Sequence, residues 1–377
     1  MFISVVSGKI RSLPSFLVSI NSLKKNVIHT VLVVYCWQTI SFATMRKILI
    51  IQTAFIGDVV LATGILEKLH QRFPEAEIDF LVRKGNESLF SLHPFIKNVL
   101  IWIKKEDKYK NLFRLIRTIR SNKYDLVVNL QRYAATGVMT VFSGAKTTIG
   151  FDKNPLSFLF SQRIKHHFSG NNGEVLHEIE RNHLLINSIT DNIPAKPRLY
   201  PSADDESFVR EYKTRPYICI APASVWFTKQ FPKEKWISLI NEIPSVYPIY
   251  LLGAPSDKAL CDEIIANKTH PSVTNMAGQL SFLQSAALQK GAMVNYVNDS
   301  APMHFASSVN APIAAVYCST IVGFGYGPLS NKSFVIETQQ PLSCRPCGLH
   351  GKKACPLGHF DCANNITNEQ LLFAIDN

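Results

Sequence analysis

The sequence predicts an α/β protein built from two doubly wound domains that face each other across a cleft. Three observations predict it. Short, continuous apolar runs alternate with amphipathic helix patterns, which is the signature of βαβ units and a parallel sheet covered on both faces. The alternation lapses between about Asn187 and Arg215, where Pro194, Pro197, Pro201 and Pro216 punctuate the chain and Asp204-Asp205-Glu206 is solvated, and then it restarts. The chain has 377 residues, 46% hydrophobic and 18% charged, which suffices for two cores. The expected boundaries are 45–195 for the first domain, 196–215 for a linker and 216–377 for the second domain.

In the first half, Lys47–Gln52 reads as a buried strand, Thr53–Asp58 as a turn and Val59–Arg72 as a helix with Val59, Ala62, Leu66 and Leu69 on one face. Pro74 lies just beyond it. Ile78–Val82 and Val99–Ile103 follow as strands. Lys108–Ser121 is a basic amphipathic helix with Leu112, Leu115, Ile116 and Ile119 as its apolar stripe, and Leu126–Asn129 is a further strand. In the second half, Tyr217–Ala221, Pro248–Leu252, Val273–Met276, Ala292–Tyr296 and Ile313–Tyr317 read as strands. Lys233–Ile243, Asp257–Asn267 and Ser281–Lys290 read as helices. Ligands of such sheets bind at the carboxyl ends of the strands, so the site is expected in the cleft.

The net charge of +12 favours an anionic partner: a nucleotide, a phosphorylated sugar, a membrane surface or nucleic acid. No arginine-rich tail or interleaved basic–aromatic module points to nucleic acid. Residues 1–44 hold Lys9, Arg11, Lys24 and Lys25 without an acid and look foreign to the rest. The reading adopted is that folding begins at Met45-Arg46-Lys47, after a disordered extension or a misplaced start. A membrane-associating segment and a signal peptide ending at Ser41-Phe42-Ala43 are the alternatives.

The most informative stretch is Val297-Asn298-Asp299-Ser300-Ala301-Pro302-Met303-His304. Asp299 or Ser300 suits a helix N-cap and Pro302 the first turn, so the first-turn amides should meet an anion at a strand end. His304 would add a donor to the same oxygens; the bland alternative is a capped helix with a buried histidine. Asp58 follows Gly57 at another strand end. Gly57 would let substrate approach the backbone and Asp58 would act as a general base, although a helix N-terminus lowers a carboxylate's pKa, and an ordinary N-cap is the competing role. In the loop after Tyr217–Ala221, Lys229 could neutralise a leaving diphosphate, with Ser224 and Thr228 donating hydrogen bonds; a solvated loop lysine is the alternative. Asp257 could accept from ribose hydroxyls or cap a helix. No GxGxxG follows the first strand, which argues against a dinucleotide site.

Cys344, Cys347, Cys355 and Cys362 put four of the eight cysteines in one segment, 344–362. A structural zinc with His350 or His359 as substitutes, disulfides, or reduced thiols all fit that spacing. No ligand set for a catalytic metal converges on the strand-end loops. Lys104, Lys105, Lys108, Lys110, Arg114, Arg117, Arg120 and Lys123 make one side of the first domain basic, and with Phe158, Leu159 and Phe160 this side could receive an anionic, lipid-linked acceptor.

Four stretches together resemble the ADP-heptose:lipopolysaccharide heptosyltransferases, most closely the heptosyltransferase II type, over Met45 to about Ala363. They are Lys47-Ile-Leu-Ile-Ile-Gln-Thr-Ala-Phe-Ile-Gly57-Asp58, Trp226-Phe-Thr-Lys229-Gln-Phe-Pro232-Lys-Glu-Lys-Trp236, Asn298-Asp299-Ser300-x-x-Met303-His304, and the cysteine tail through Cys362. Ala301-Pro302 departs from the family's Gly-Leu. The resemblance implies a GT-B architecture of two Rossmann-like domains and an inverting transfer of heptose from ADP-L-glycero-D-manno-heptose to the inner core of lipopolysaccharide, without metal or other cofactor. It implies Asp58 as base and Lys229 on the diphosphate. It also implies Ser300, the Ala301 amide and His304 on phosphate, Asp299 on the donor sugar, and Met303 as a motif residue of the donor site. The implied acceptor is a Kdo or heptose on lipid A, met by a cytoplasmic enzyme peripheral to the inner membrane. A related transferase using another nucleotide sugar, a GT-B sugar-nucleotide 2-epimerase and a nucleotide-binding regulatory module are the rivals. An epimerase would need further carboxylates in the cleft.

Overall fold

The computed structural model describes residues 45–104, 107–167 and 175–377; the readings of residues 1–44 fall outside them. Among the described residues two six-stranded sheets form, parallel throughout, with helices on their faces. The first holds β1 (Lys47–Ile51), β2 (Glu77–Arg83), β3 (Ile96–Trp102), β4 (Leu126–Asn129), β5 (Thr147–Phe151) and β6 (Gln162–Ile164) in the order β3-β2-β1-β4-β5-β6. The second holds β7 (Ile218–Ala221), β8 (Ile249–Leu251), β9 (Val273–Asn275), β10 (Val294–Asn298), β11 (Ile313–Tyr317) and β12 (Ser333–Glu337) in the order β12-β11-β10-β7-β8-β9. Counted from its own first strand, each sheet follows the doubly wound 3-2-1-4-5-6 order. The strand direction of growth therefore reverses between β1 and β4, and again between β7 and β10. The loops leaving those four strands are where a ligand is expected; they carry Arg132, Lys229 and Asp299, and Asp58 lies in the first helical turn after β1.

The central strands are apolar because both their faces are covered. Ile48, Leu49, Ile50 and Ile51 are buried, as are Ile218, Ile220, Val294 and Tyr296 in the second sheet. Helix α1 (Ile56–Arg72) begins three residues earlier than the apolar spacing suggested, so Asp58 stands inside its first turn and Phe55, not Asp58, is the N-cap. Helix α2 (Lys108–Ser121) matches its expected bounds and buries Leu115 and Ile119. Helix α3 (Ala134–Val141), β5, β6, β12 and the C-terminal helices α10 (Asp361–Asn364) and α11 (Asn368–Asp376) have no counterpart among the expected elements. They are short, and β6 (Gln-Arg-Ile) is a polar edge strand whose place is set by pairing with β5.

The segment expected as a linker is packed rather than free. The Arg198 amide donates to Thr63 Oγ1 of α1 at 2.8 Å, and Tyr200 OH to Glu67 at 2.7 Å. Helix α4 (Glu178–His183) precedes that segment and α5 (Ala203–Phe208) lies within it; α5 packs against α8 (Phe282–Lys290) of the second half. Helices α6 (Lys233–Glu242) and α7 (Lys258–Ala266) cover the other face of that sheet with α11, and α9 (Ala301–Ser308) follows β10. Helix α9 packs directly on α1, which brings the carboxyl ends of the two sheets face to face.

Candidate active site

The starts of α1 and α9 meet at Gly57 and His304. A methyl group placed on Gly57 would lie 2.9 Å from Cδ2 of His304, so only a hydrogen at that position lets the helices approach this closely. His304 is 6% exposed, its Nδ1 is buried without a hydrogen-bond partner, and burial lowers its pKa to about 3, with His177 and Lys229 acting in the same direction. The ring is neutral at any physiological pH.

Asp58 follows at the next position. Its carboxylate accepts backbone N–H groups of Phe55 and Asp58, as a third-position acid in a helix first turn does. Those donors and Arg132 favour the charged form. Burial outweighs them, Glu178 adds to it, and the pKa is raised to about 6. A helix terminus alone would lower this pKa and weaken the base; desolvation reverses the sign.

Glu178 opens α4. Its amide donates to Gly325 O at 2.7 Å, across the two halves, and the preceding His177 ring caps the helix while its Nε2 meets Gly327 O at 3.0 Å. Arg181, one turn on, is buried. It holds Glu178 Oε2 through Nε at 2.8 Å and Nη2 at 2.7 Å, donates to Leu176 O and Phe324 O, and lies 5.2 Å from the centre of the Tyr326 ring. Gly325 sits at φ +82 against this guanidinium, where no larger residue fits.

On the second half, Asn298 at the end of β10 ties two loops together. Its Nδ2 donates to the carbonyls of Ala221, Pro222 and Ala223, and its Oδ1 accepts the Phe231 amide at 2.9 Å. This fixes the loop that carries Lys229 against the start of α9. Lys229 Nζ pairs with Asp299 Oδ2 at 2.7 Å, and Thr320 Oγ1 donates to the same oxygen at 2.7 Å. Ser300 is the N-cap of α9 in extended conformation. The Met303 amide turns back to Ser300 O at 3.1 Å and Pro302 has no N–H, which leaves the Ala301 amide as the first-turn donor at the cavity wall. The expected set of several anion-binding amides is thus reduced to one, by the proline and by the Met303 amide's bond to Ser300 O.

That wall belongs to a cavity of about 620 Å³ between the two halves. Ser224, Gly253, Asp257, Met276, Ser300 and Ala301 line it from the second sheet's loops, and Ile56 and Ser88 reach it from the first half. The volume lies in the range of nucleotide and cofactor sites. A largely apolar recess thus runs up to the α9 start at Ser300 and Ala301; Asp299, paired with the partly exposed Lys229, precedes Ser300 in the chain, and Asp58 stands two residues after Ile56.

The sequence profile of glycosyltransferase family 9 (heptosyltransferase) matches residues 112–356, more than half of the chain. The chain belongs to this family. It is 28% identical over 278 residues to lipopolysaccharide heptosyltransferase 3 of Escherichia coli, covering 71% of this chain and 82% of that one. Its fold is similar to E. coli ADP-heptose lps heptosyltransferase II, with a TM-score of 0.72, 21% identity, and 88% and 97% of the two chains covered. It is likewise similar to E. coli heptosyltransferase WaaC with ADP-2-deoxy-2-fluoro heptose, with a TM-score of 0.67, 18% identity, and 88% and 99% covered. The GT-B expectation and the expectation of a glycosyltransferase both hold.

In this family 9 glycosyltransferase the residues singled out by sequence separate into three groups. Gly57, Asp58, Lys229, Asp299, Ser300, Ala301 and His304 gather around the facing helix starts, with His304 packed against Gly57 rather than lining the cavity. Ser224 and Asp257 line the cavity; the Asp257 carboxylate also accepts the Ala254 amide at 2.8 Å and so caps its own turn. Met303 and Thr228 need correction. Met303 is fully buried in the core beside Tyr317, whose hydroxyl approaches its sulfur at 3.5 Å, because the third helical position of α9 faces the sheet. Thr228 is 1% exposed and binds Ser319 and Lys352, leaving its hydroxyl no reach to a ligand.

Sequence reasoning missed Arg132, His177, Glu178, Arg181 and Tyr326. The cap of α4 is a histidine, outside the Ser/Thr-x-x-Glu signature, so the box His177-x-x-Glu180 shows only in the structure. Nothing local said that this short helix would pack at the catalytic face.

The cysteine segment holds no disulfide: Cys344, Cys347, Cys355 and Cys362 are thiols, and Cys344 Sγ stands 4.0 Å from His359 Nε2. Among the described residues no three His, Cys, Asp or Glu side chains are grouped to hold a metal ion. The basic side of the first half is present on α2, where Lys108, Lys110, Arg114, Arg117 and Arg120 are exposed beside Tyr109 and Phe113. Phe158 and Leu159 are exposed as well, but Phe160 is buried; Lys104 is exposed and donates to Thr53 O at 2.8 Å next to the α1 turn. No helix among the described residues is long and apolar enough to cross a membrane.

Proposed function

We propose that this enzyme is an inverting heptosyltransferase that moves heptose from ADP-L-glycero-D-manno-heptose to a Kdo or heptose of the lipopolysaccharide inner core. The observation that carries the reading is the contact of Gly57 with His304. It sets a carboxylate of pKa about 6 opposite the helix start that borders the nucleotide-sized cavity. The ADP moiety occupies the cavity, its diphosphate meeting the Ala301 amide, Ser300 and Lys229. On donor binding Lys229 exchanges part of its contact with Asp299 for phosphate oxygens, and Asp299 turns to the sugar. Asp58 takes the proton of the acceptor hydroxyl as that oxygen attacks the anomeric carbon from the face opposite the diphosphate. ADP then leaves, its charge balanced by Lys229 and the amide dipole without a metal ion. Relatives named for this chemistry support the donor and acceptor classes.

The exposed basic and aromatic face of α2 supports a cytoplasmic enzyme held peripherally at an anionic membrane while it works on a lipid-linked acceptor. The deciding experiment is turnover of ADP-heptose with delipidated inner-core acceptors, read as released ADP. Acceptor-dependent release is expected. Consumption or isomerisation of the nucleotide sugar without acceptor would replace this reading with an epimerase, and binding without consumption would replace it with a regulatory module.

A further inference from the structure

The cysteine-bearing segment lies across the loop that presents Lys229. Thr228 and Lys352 bond reciprocally: the Thr228 amide donates to Lys352 O at 3.1 Å, and the Lys352 amide to Thr228 Oγ1 at 2.7 Å. Ser319, just past β11, joins them. Its amide donates to Thr228 O at 3.2 Å and its hydroxyl to Thr228 Oγ1 at 2.9 Å, while its carbonyl accepts the Cys347 amide at 2.9 Å. Arg345 fastens the same segment to the sheet end, donating to Cys318 O and Thr320 O at 2.8 Å each. Gly351 closes the arrangement. It sits at φ +75, and a methyl there would lie 2.9 Å from Lys229 Cγ, 3.1 Å from Thr228 Oγ1 and 3.3 Å from Trp226 Cβ. The Phe227 ring stacks on Phe360 at 5.4 Å, so both flanks of the loop touch the segment.

We propose that residues 345–352 are the positioning element of Lys229, with Gly351 and the Thr228–Lys352 pair fixing its aliphatic stem so that the ammonium is aimed before any phosphate arrives. The inference rests on the reading of Lys229 as the diphosphate-binding group. Its physical basis is the mobility of lysine: a free side chain gives up several rotatable bonds on binding, and a stem already clamped does not. The pairing of Lys229 with Asp299 at 2.7 Å is the pose that the clamp yields. None of these residues needs to touch substrate. Their influence passes through one side chain, and that is measurable.

The test is a double-mutant cycle with Lys229→Ala. Thr228→Val keeps the side chain's shape but removes the acceptor used by Lys352 and Ser319, and Gly351→Ala intrudes on the stem itself. Each is expected to lower kcat/KM for the donor by about tenfold in the wild-type background and by less than about twofold in the Lys229→Ala background. A small change of melting temperature should accompany Thr228→Val. Losses that multiply in full with Lys229→Ala would overturn the inference, as would wild-type kinetics in both single variants. Should Gly351→Ala fail to fold, Thr228→Val decides alone. A Lys229→Ala enzyme with wild-type kinetics would instead remove the phosphate role, and this inference with it.

Discussion

Gly57 and His304 touch across the two halves of the molecule, one from the first turn of α1 and the other from the first turn of α9. The contact has room for a hydrogen and not for a methyl. Gly57→Ala should therefore cost about 1–3 kcal/mol of stability, through strain in a packed contact, and should separate the helix starts enough to lower turnover. In a His304→Ala background the same substitution meets open space, and most of the cost should vanish. Urea unfolding of the two singles and the double measures this; equal costs in both backgrounds would contradict the contact.

Asp58 is expected to set the acidic limb of the pH profile. As a base it must be ionised, so kcat/KM should rise with pH through about 6 and level off above it. Asp58→Asn should abolish turnover and leave ADP binding in place; an active Asp58→Asn enzyme would end its assignment as base.

The same carboxylate makes a stability prediction whose sign is fixed by linkage. Its folded pKa lies above its unfolded value of 3.8, so its favourable contribution is complete below about pH 4 and is lost as pH rises through 6. Above that, the folded protein carries a partly desolvated charge. Asp58→Asn should accordingly be more stable than wild type at pH 7.5, by on the order of 3 kcal/mol, with the gain disappearing near pH 4. Calorimetric melting at the two pH values checks it.

Lys229→Ala leaves Asp299 buried with Thr320 as its remaining side-chain partner. The donor KM should rise and kcat should fall, because the charge that developed on the leaving diphosphate loses its counterpart, while acceptor KM stays within about twofold. Initial-rate kinetics in both substrates separates the two; an unchanged donor KM would contradict the assignment.

Arg181→Met removes the cation from a buried pair and strands Glu178 beside Asp58. A loss of about 3–5 kcal/mol in global stability is expected. Replacing both, Arg181→Met with Glu178→Gln, should recover much of it, since no unpaired buried charge remains. Urea unfolding of the single and double variants tests whether the ion pair, rather than the volume of Arg181, is what matters.

The resemblance located the Gly57-Asp58 turn, the Lys229 loop and the Asn298–His304 stretch because each is a run of adjacent residues with a local chemical meaning. Where that reading failed, the deciding partner was remote. Thr228 looked free because Lys352 is far along the chain, and Met303 looked functional because its motif is, although its place on the helix turns it into the core. The helix terminus of Asp58 is a local feature, whereas its burial and the neighbouring charge of Glu178, on another segment, are not.

The sequence by itself determined the two βαβ halves, the strand ends from which the loops leave, and the identity of the residues at those ends, because hydrophobic period and turn chemistry are local properties. Only the tertiary structure decided that α1 and α9 meet through Gly57 and His304, that α4 closes on the 325 loop, and that the cysteine segment braces Lys229. Those are packing contacts between segments far apart in the chain. Proton affinity and side-chain pose depend on what surrounds a group, which no local pattern encodes.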